Sequence, residues 1–401
     1  MDATTSARER LEVALLTGPG AGELLAAALA EEGAGLGEWE VHAVHHRPGA
    51  GVSVGYTVAD ADGEEYLCAT TARLAGPGCA GLVRLERDGV VVHVWRHPAD
   101  PELPALATGC SPGLLADRLG LAAPPDVELV TYRPLRRAVL RARGGGVDGG
   151  LVFVKVVRPR AVEAFVDRHR MLCAAGVPAP RSLAAFDDGM VVLSAGRGTP
   201  LATVLARGLG EEAARAVLDD VVGVLDRLPS AALALPRRPA WSERAAHYAH
   251  AAATVLPDEA GRITALAEGI ARALGATDPG PVVPTHGDLY EANLLMAGRS
   301  VSALLDVDGV GPGHRVDDLA CLLAHVSVLP HLAPATYPRV REVLATWTAQ
   351  CEQLVDPAAL RARCAGVVLS LVAGAQRPGG PWRADALGRL AEAERWLAGA
   401  R

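Results

Sequence analysis

Lysine and asparagine are all but missing from this 401-residue chain: of its 39 basic residues one is a lysine, Lys155, and its one asparagine is Asn293. Arginine serves everywhere else a cation is wanted. The two exceptions therefore mark positions where a compact ammonium on a thin stem, or a neutral amide oxygen, is what the chemistry needs. Survival of one codon of each kind by chance is the bland alternative, and it weakens once both residues fall in chemically telling contexts. A basic face is missing too. The net charge is −7, which argues against a general nucleic-acid binder, because little is available to neutralise a phosphate backbone. Paired cysteine motifs are also lacking. The seven cysteines are odd in number, scattered and without a C-x-x-C pair, which reads as free thiols in a reducing compartment rather than a disulfide framework or metal site. Charges in the first 18 residues interrupt the apolar run that a signal peptide requires. The most apolar late stretch, residues 364–375, is too short to span a bilayer and reads as a buried helix. Cytoplasmic residence with no membrane partner is the expectation, the oligomeric state being open.

What is present is a globular composition, half of it apolar, long enough for two or three domains with cores of their own. Residues 8–33 carry helical spacing. From Trp39 to Val94 the pattern is that of strands separated by Gly, Asp and Pro. After a break at Ala122-Ala123-Pro124-Pro125 the strand pattern begins again, with VELVTYRP, RAVLRAR and LVFVKVV. A helix is expected from about 160 to 175, then GVPAP and the strand MVVLS. Beyond Thr199 the chain reads as helical except around 283–308. The expected organisation is an N-terminal helix (1–34), a sheet module or cap (35–122), a second sheet lobe (126–198) and a helical lobe (199–401), the last two being the segments that the chemical motifs below occupy.

The two strand regions resemble each other. A shift of 86 residues lays VHAVHHRP on VELVTYRP and YLCAT on VFVKV, and sets Ala69 where Lys155 stands in the second copy. Residues 35–122 are read as a degenerate duplicate of the sheet lobe without its lysine. Coincidence between similar hairpins and an independent cap domain are the alternatives.

The strongest chemical signal is His286-Gly287-Asp288-Leu289-Tyr290-Glu291-Ala292-Asn293, followed by Asp306 at the end of an apolar run. Phosphoryl transfer needs a carboxylate beside the acceptor hydroxyl and oxygen ligands for the Mg²⁺ that bridges the nucleotide phosphates. An H-x-D-x-x-x-x-N loop does both: Asp288 faces the acceptor, Asn293 turns to the metal, and Asp306 adds a charged ligand. An N-cap aspartate and a turn carboxylate are the bland readings of the same residues singly. Lys155 sits mid-strand among apolar neighbours, where an unpaired ammonium is costly. A cleft with phosphates and a carboxylate resolves that cost; an edge strand reaching solvent is the alternative. Glu163 is the first candidate for the carboxylate, Asp167 the second. His169 reads as a core histidine.

The stretch from Pro284 to Ala320 resembles the aminoglycoside phosphotransferase family of the protein-kinase-like fold. The resemblance covers about residue 127 onward and is specific in 284–320. It implies an α+β protein with a sheet-rich nucleotide lobe and a large helical C-terminal lobe, here with an extra N-terminal sheet module. It implies Asp288 as catalytic base, Asn293 and Asp306 as Mg²⁺ ligands, Asp318 as a structural brace, and Lys155 as the contact to the α/β-phosphates of ATP. By the same resemblance MVVLSAGRGTPL is the hinge, with adenine against the backbone near Ser194 and Ala195. The activity implied is ATP- and Mg²⁺-dependent phosphorylation of a small-molecule hydroxyl, on an aminoglycoside, sugar or amino alcohol. The chain departs from the family's pattern at three places. His314 stands where many members carry Asp, and Tyr290 where His or Cys is frequent. The turn after Arg133 is Pro134-Leu135-Arg136-Arg137 instead of a glycine-rich loop. Those arginines reach phosphates or decorate a solvated hairpin. A nucleotide-binding pseudokinase or regulatory scaffold remains the alternative. Candidates for the acceptor site are Trp241, Glu243, His247, Tyr248, His325, Gln376, Arg377 and Trp382.

Overall fold

The computed structural model describes residues 3–31, 33–47, 49–60, 63–75, 79–376 and 382–400. The chain forms two compact units. The first comprises Met1–Val166 and Ser182–Ala195, the second Asp167–Arg181 and Gly196–Arg401.

The first unit opens with α1 (Ala3–Thr17) and α2 (Gly20–Ala30). The sequence pattern suggests one helix over 8–33, but Gly18 and Pro19 divide it, and the two pieces meet at 66°. An antiparallel sheet follows: β1 (Glu38–Arg47), β2 (Gly51–Asp60), β3 (Gly63–Thr70), β4 (Val83–Arg87) and β5 (Val90–Arg96), in the order β1-β2-β3-β5-β4. Alternate side chains of β2, including Val54, Tyr56 and Val58, pack with Leu67, Ala69 and Val92 beneath Leu16, Leu25 and Leu29 of the two helices. The buried Tyr56 hydroxyl donates to the Leu16 carbonyl at 2.7 Å. That bond lets a large ring sit in the core with its polar end satisfied.

Two short helices, α3 (Leu106–Cys110) and α4 (Pro112–Leu119), lead to the second sheet. Ser111 caps α4 and Gly120 ends it in the left-handed conformation, a sequence-readable start and stop. The second sheet holds β6 (Asp126–Arg133), β7 (Arg137–Arg143), β8 (Leu151–Val157), β9 (Ser182–Ala185) and β10 (Met190–Ser194), in the order β6-β7-β8-β10-β9. All of its pairings are antiparallel. One face, with Leu140, Val154 and Val156, is covered by Leu103, Leu106 and Leu115. The other carries Val157, Val191 and Leu193 against Val162 and Phe165, which lie on α5 (Val162–Ala174).

The second unit begins with β11 (Thr199–Pro200), α6 (Leu201–Arg207), α7 (Glu211–Asp226), α8 (Ala245–Val255) and α9 (Ala260–Ala276). Four short strands come next: β12 (Val282–Thr285), β13 (Leu294–Ala297), β14 (Ser300–Leu304) and β15 (Gly311–His314). They form a β12–β15 pair and a β11-β13-β14 sheet. The unit closes with α10 (Arg315–Leu332), α11 (Val340–Cys351), α12 (Pro357–Val372) and α13 (Trp382–Ala398). Leu319, Leu323, Leu360 and Val368 lie in its core. The helical stretch Pro357–Ala375 starts earlier than the apolar run alone suggests and is long and apolar enough to cross a membrane. Two thirds of its most apolar window is buried inside the protein (67%), as in a core helix. His169 is also a core residue, its Nδ1 bonded to the Pro180 carbonyl at 2.7 Å.

Candidate active site

In the second unit β12 and β15 run side by side, so the loop after Thr285 and the loop before Gly311 emerge together. Their backbones nearly touch. A Cβ on Gly287 would lie 2.9 Å from the Gly309 carbonyl oxygen, and one on Gly309 would lie 2.7 Å from that of His286. Gly287 also has φ +81°, so two glycines are needed here for space and one of them for conformation as well. Asp318, on the first turn of α10, accepts the His286 N–H at 2.7 Å and the Gly287 N–H at 2.8 Å on its two oxygens. Full burial pushes its carboxyl up, while His286 and the two N–H groups pull against that shift. His286 is itself fully buried. Its Nε2 lies 2.9 Å from the Leu305 carbonyl, and its Nδ1 receives the Asp288 N–H at 3.3 Å. That pattern requires the proton on Nε2. The backbone at Asp288 is thus held by a chain of buried contacts running from α10 through His286.

Asn293 follows one short helical turn later, 6% exposed. Its Nδ2 donates to the Asp288 carbonyl at 3.0 Å, which fixes the amide and leaves Oδ1 as the ligand-type atom. β13 and β14 join through a two-residue turn in which Gly298 has φ +65°. Leu305 N–H then meets the Asn293 carbonyl at 2.8 Å. Asp306, the next residue, takes left-handed backbone (φ 50°, ψ 47°), a conformation held by a non-glycine residue only where its surroundings over-determine it. Spacing that looks long in the sequence is therefore short in space: the hairpin folds 13 residues back on themselves. Among the described residues no three His, Cys, Asp or Glu side chains gather as a metal cage. One amide oxygen and one carboxylate, completed by phosphate oxygens and water, is the donor set Mg²⁺ uses in nucleotide sites. The pair fits that ion.

Around the loop stand groups that sequence reasoning had not singled out as a set. The Tyr290 ring lies against His325, with centroids 4.5 Å apart. Its hydroxyl is pushed up to about 12, first by burial and then by the charges of Asp288 and Asp306. Burial pushes His325 down to about 4. Glu291 is 7% exposed, its Oε2 has no hydrogen-bond partner among the described residues, and burial raises it to about 7. Tyr248 is raised by burial and also feels Asp288; it stacks on Trp241 at 5.7 Å. Of the acceptor candidates, Trp241, Tyr248 and His325 thus belong to the surroundings of the loop. His247 meets Tyr248 edge-on, and Glu243 pairs with Arg237 at 2.5 Å. Gln376 is exposed and Trp382 half-buried, while Arg377 lies outside the described residues. His314 acts as N-cap of α10, forming a reciprocal box with Asp317. Asp317 is held in turn by the buried Arg363 at 2.9 Å.

In the first unit Lys155 stands in the middle strand of its sheet, paired with Val139 on one side and Val191 on the other. It is 5% exposed, with Nζ 4.9 Å from the centre of the Phe165 ring. Glu163 is exposed on the first turn of α5, two residues before the ring that lies under the ammonium. Ser194 closes β10 opposite Val152, and Ala195 follows it.

The chain thus joins a sheet with a buried lysine in its middle strand to a helical unit whose H-x-D-x-x-x-x-N loop is braced from behind, an α+β arrangement. The model of the phosphotransferase enzyme family matches residues 137–359, more than half of the chain, and the chain belongs to that family. Solved structures similar to it include the aminoglycoside phosphotransferase APH(3'')-Id from Streptomyces rimosus. That protein is 21% identical, the match covering 64% of this chain and 96% of that one, with a TM-score of 0.43. A choline/ethanolamine kinase family protein from Mesorhizobium loti is 20% identical over 73% of this chain and 96% of that one, TM-score 0.46. A thermostable mutant of the aminoglycoside phosphotransferase APH(4)-Ia is 16% identical over 72% and 98%, TM-score 0.49. No curated protein matches the chain.

Proposed function

We propose that this chain transfers the γ-phosphoryl group of ATP, with Mg²⁺, to a hydroxyl of a small molecule such as an aminoglycoside, sugar or amino alcohol, in the cytoplasm. The observation that carries the reading is the braced loop: Asp318 holds the His286–Gly287 backbone, His286 holds the Asp288 N–H, and Asn293 is tied to the Asp288 carbonyl. Asp288 orients the acceptor hydroxyl and takes its proton as the oxygen attacks phosphorus. Asn293 Oδ1 and the Asp306 carboxylate hold the metal ion, which when bound offsets charge on the phosphate oxygens. Lys155 grips the α- and β-phosphates, and its burial makes that contact stronger than it would be in water. Adenine rests against the backbone at Ser194 and Ala195, and Glu163 is the carboxylate assigned to Lys155.

The test is Mg²⁺-dependent ATP consumption against a panel of aminoglycosides, sugars, amino alcohols and nucleosides, with Asp288→Ala alongside. An acceptor-dependent rate that falls at least ~10²-fold in the variant, while ATP still binds, is the expected result. An undiminished rate in Asp288→Ala removes the base assignment. ATP binding with silence across the panel favours a pseudokinase.

A further inference from the structure

The turn between β6 and β7, Arg133-Pro134-Leu135-Arg136, stands just beyond Lys155 along the ladder: Val139 pairs with Lys155 and Arg137 with Val157. In protein kinases a glycine-rich loop covers the nucleotide phosphates, and this is the hairpin that occupies that place in the sheet. It contains no glycine here, and Leu135 adopts left-handed backbone itself, φ 64°. A leucine keeps such a conformation only when its neighbours impose it.

The neighbours belong to the first sheet, to the segment that leaves it and, in Arg158, to the residue just after β8. Asp100, 2% exposed, receives the Leu135 N–H and the Tyr132 hydroxyl on the same oxygen, each at 2.7 Å. Its other oxygen receives the Glu102 N–H at 2.8 Å. Arg158 Nε donates to the Leu135 carbonyl at 2.7 Å and pairs with Glu102 at 3.3 Å. The Leu135 side chain is buried against Cys68 of β3 and Trp95 of β5. Trp95 Nε1 donates to the Tyr132 hydroxyl oxygen at 3.3 Å. The backbone N–H, the carbonyl and the side chain of one turn residue are thus each seized from outside the hairpin.

We infer that Asp100 is a positioning residue for the nucleotide: with the first sheet as backrest, it holds the Leu135 turn ready-shaped over the phosphates. A glycine-rich loop must be ordered when ATP binds, whereas this one has lost its freedom beforehand, so less ordering entropy opposes binding. The inference rests on the nucleotide-lobe reading of Lys155.

The test compares two probes, MgATP and adenosine, by titration calorimetry on the full chain. Native protein, Asp100→Asn and Leu135→Gly are measured. Asp100→Asn keeps the shape and removes the charged acceptor; Leu135→Gly withdraws the side chain from the Cys68 and Trp95 contact without touching Asp100. Each is expected to weaken MgATP roughly tenfold, the scale of a lost charge-assisted hydrogen bond, with adenosine affinity unchanged. The double variant should be no worse than the weaker-binding single, because both act through one turn. Unchanged MgATP affinity in both variants, or parallel loss of MgATP and adenosine, overturns the inference and leaves the functional reading standing. A native protein that binds no MgATP takes down the functional reading first, and this inference with it.

Discussion

The first unit contains two five-stranded antiparallel sheets in the same strand order, and only one of them carries a lysine. Ala69 lies between Val54 and Val94 just as Lys155 lies between Val139 and Val191. What differs is the cover. The Ala69 face is sealed by Leu16, Leu25 and Leu29, a dry core where an ammonium has no partner. The Lys155 face is covered by α5, inserted between β8 and β9, and Phe165 lies beneath the ammonium. We read the first sheet as a degenerate duplicate of the second. Under the proposed function, strand topology is common to both sheets, and what lies over the third strand separates the proposed nucleotide sheet from its copy.

Four substitutions sharpen that comparison. The largest effect is expected from copying the lysine: Ala69→Lys buries an unpaired charge under α1 and α2 and should cost on the order of 3–5 kcal/mol. Urea unfolding of the first unit would shift to lower midpoint, and calorimetry would still count one MgATP per chain. A second bound nucleotide would break the contrast between the sheets. Next comes Lys155→Ala, expected to lower kcat/KM for ATP by about 10²- to 10³-fold in a coupled kinase assay while the melting profile holds. An unaffected rate would mean that the second sheet is no more a nucleotide site than the first. The smallest effects belong to the pairs that tie a helix to each sheet, Arg87 with Glu23 at 2.7 Å and Arg118 with Asp188 at 2.8 Å. Arg87→Ala and Arg118→Ala should each change stability by less than about 1 kcal/mol, as solvent-facing pairs do. A much larger loss at Arg118 would show that α4 is held by charge rather than by Leu115.

The loop proposed as catalytic stood out in the sequence because its residues are close together along the chain. Asp288, Asn293 and Asp306 lie on one loop and one tight hairpin, so a short stretch of chain is enough to return Asp306 to the neighbourhood of Asn293. Glycine at 287 admits the positive φ that the loop takes there. By contrast, the pairing of Tyr290 with His325, and the approach of Tyr248 to Asp288, join residues dozens of positions apart through the packing of α8 and α10. No periodicity records such contacts. Glu291 reads as an ordinary polar residue within the motif, and only the packing around its short helical turn buries it, its Oε2 without a hydrogen-bond partner among the described residues. At 8–33 helical spacing persisted through a Gly-Pro break, because α1 and α2 bury their apolar faces against the same sheet and so keep one pattern.

By itself the sequence determined the class of chemistry: one lysine, one asparagine and three spaced aspartates in a chain otherwise emptied of the first two residues. Tertiary structure alone decided how those groups are held. The Asp318 brace spans 32 residues to the His286 N–H, and Asp100 reaches 35 residues to Leu135. Each is a buried carboxylate that accepts a backbone N–H delivered by a different part of the chain. Burial is what makes such bonds strong and their loss costly, and burial is a property of the packed molecule that no single segment carries.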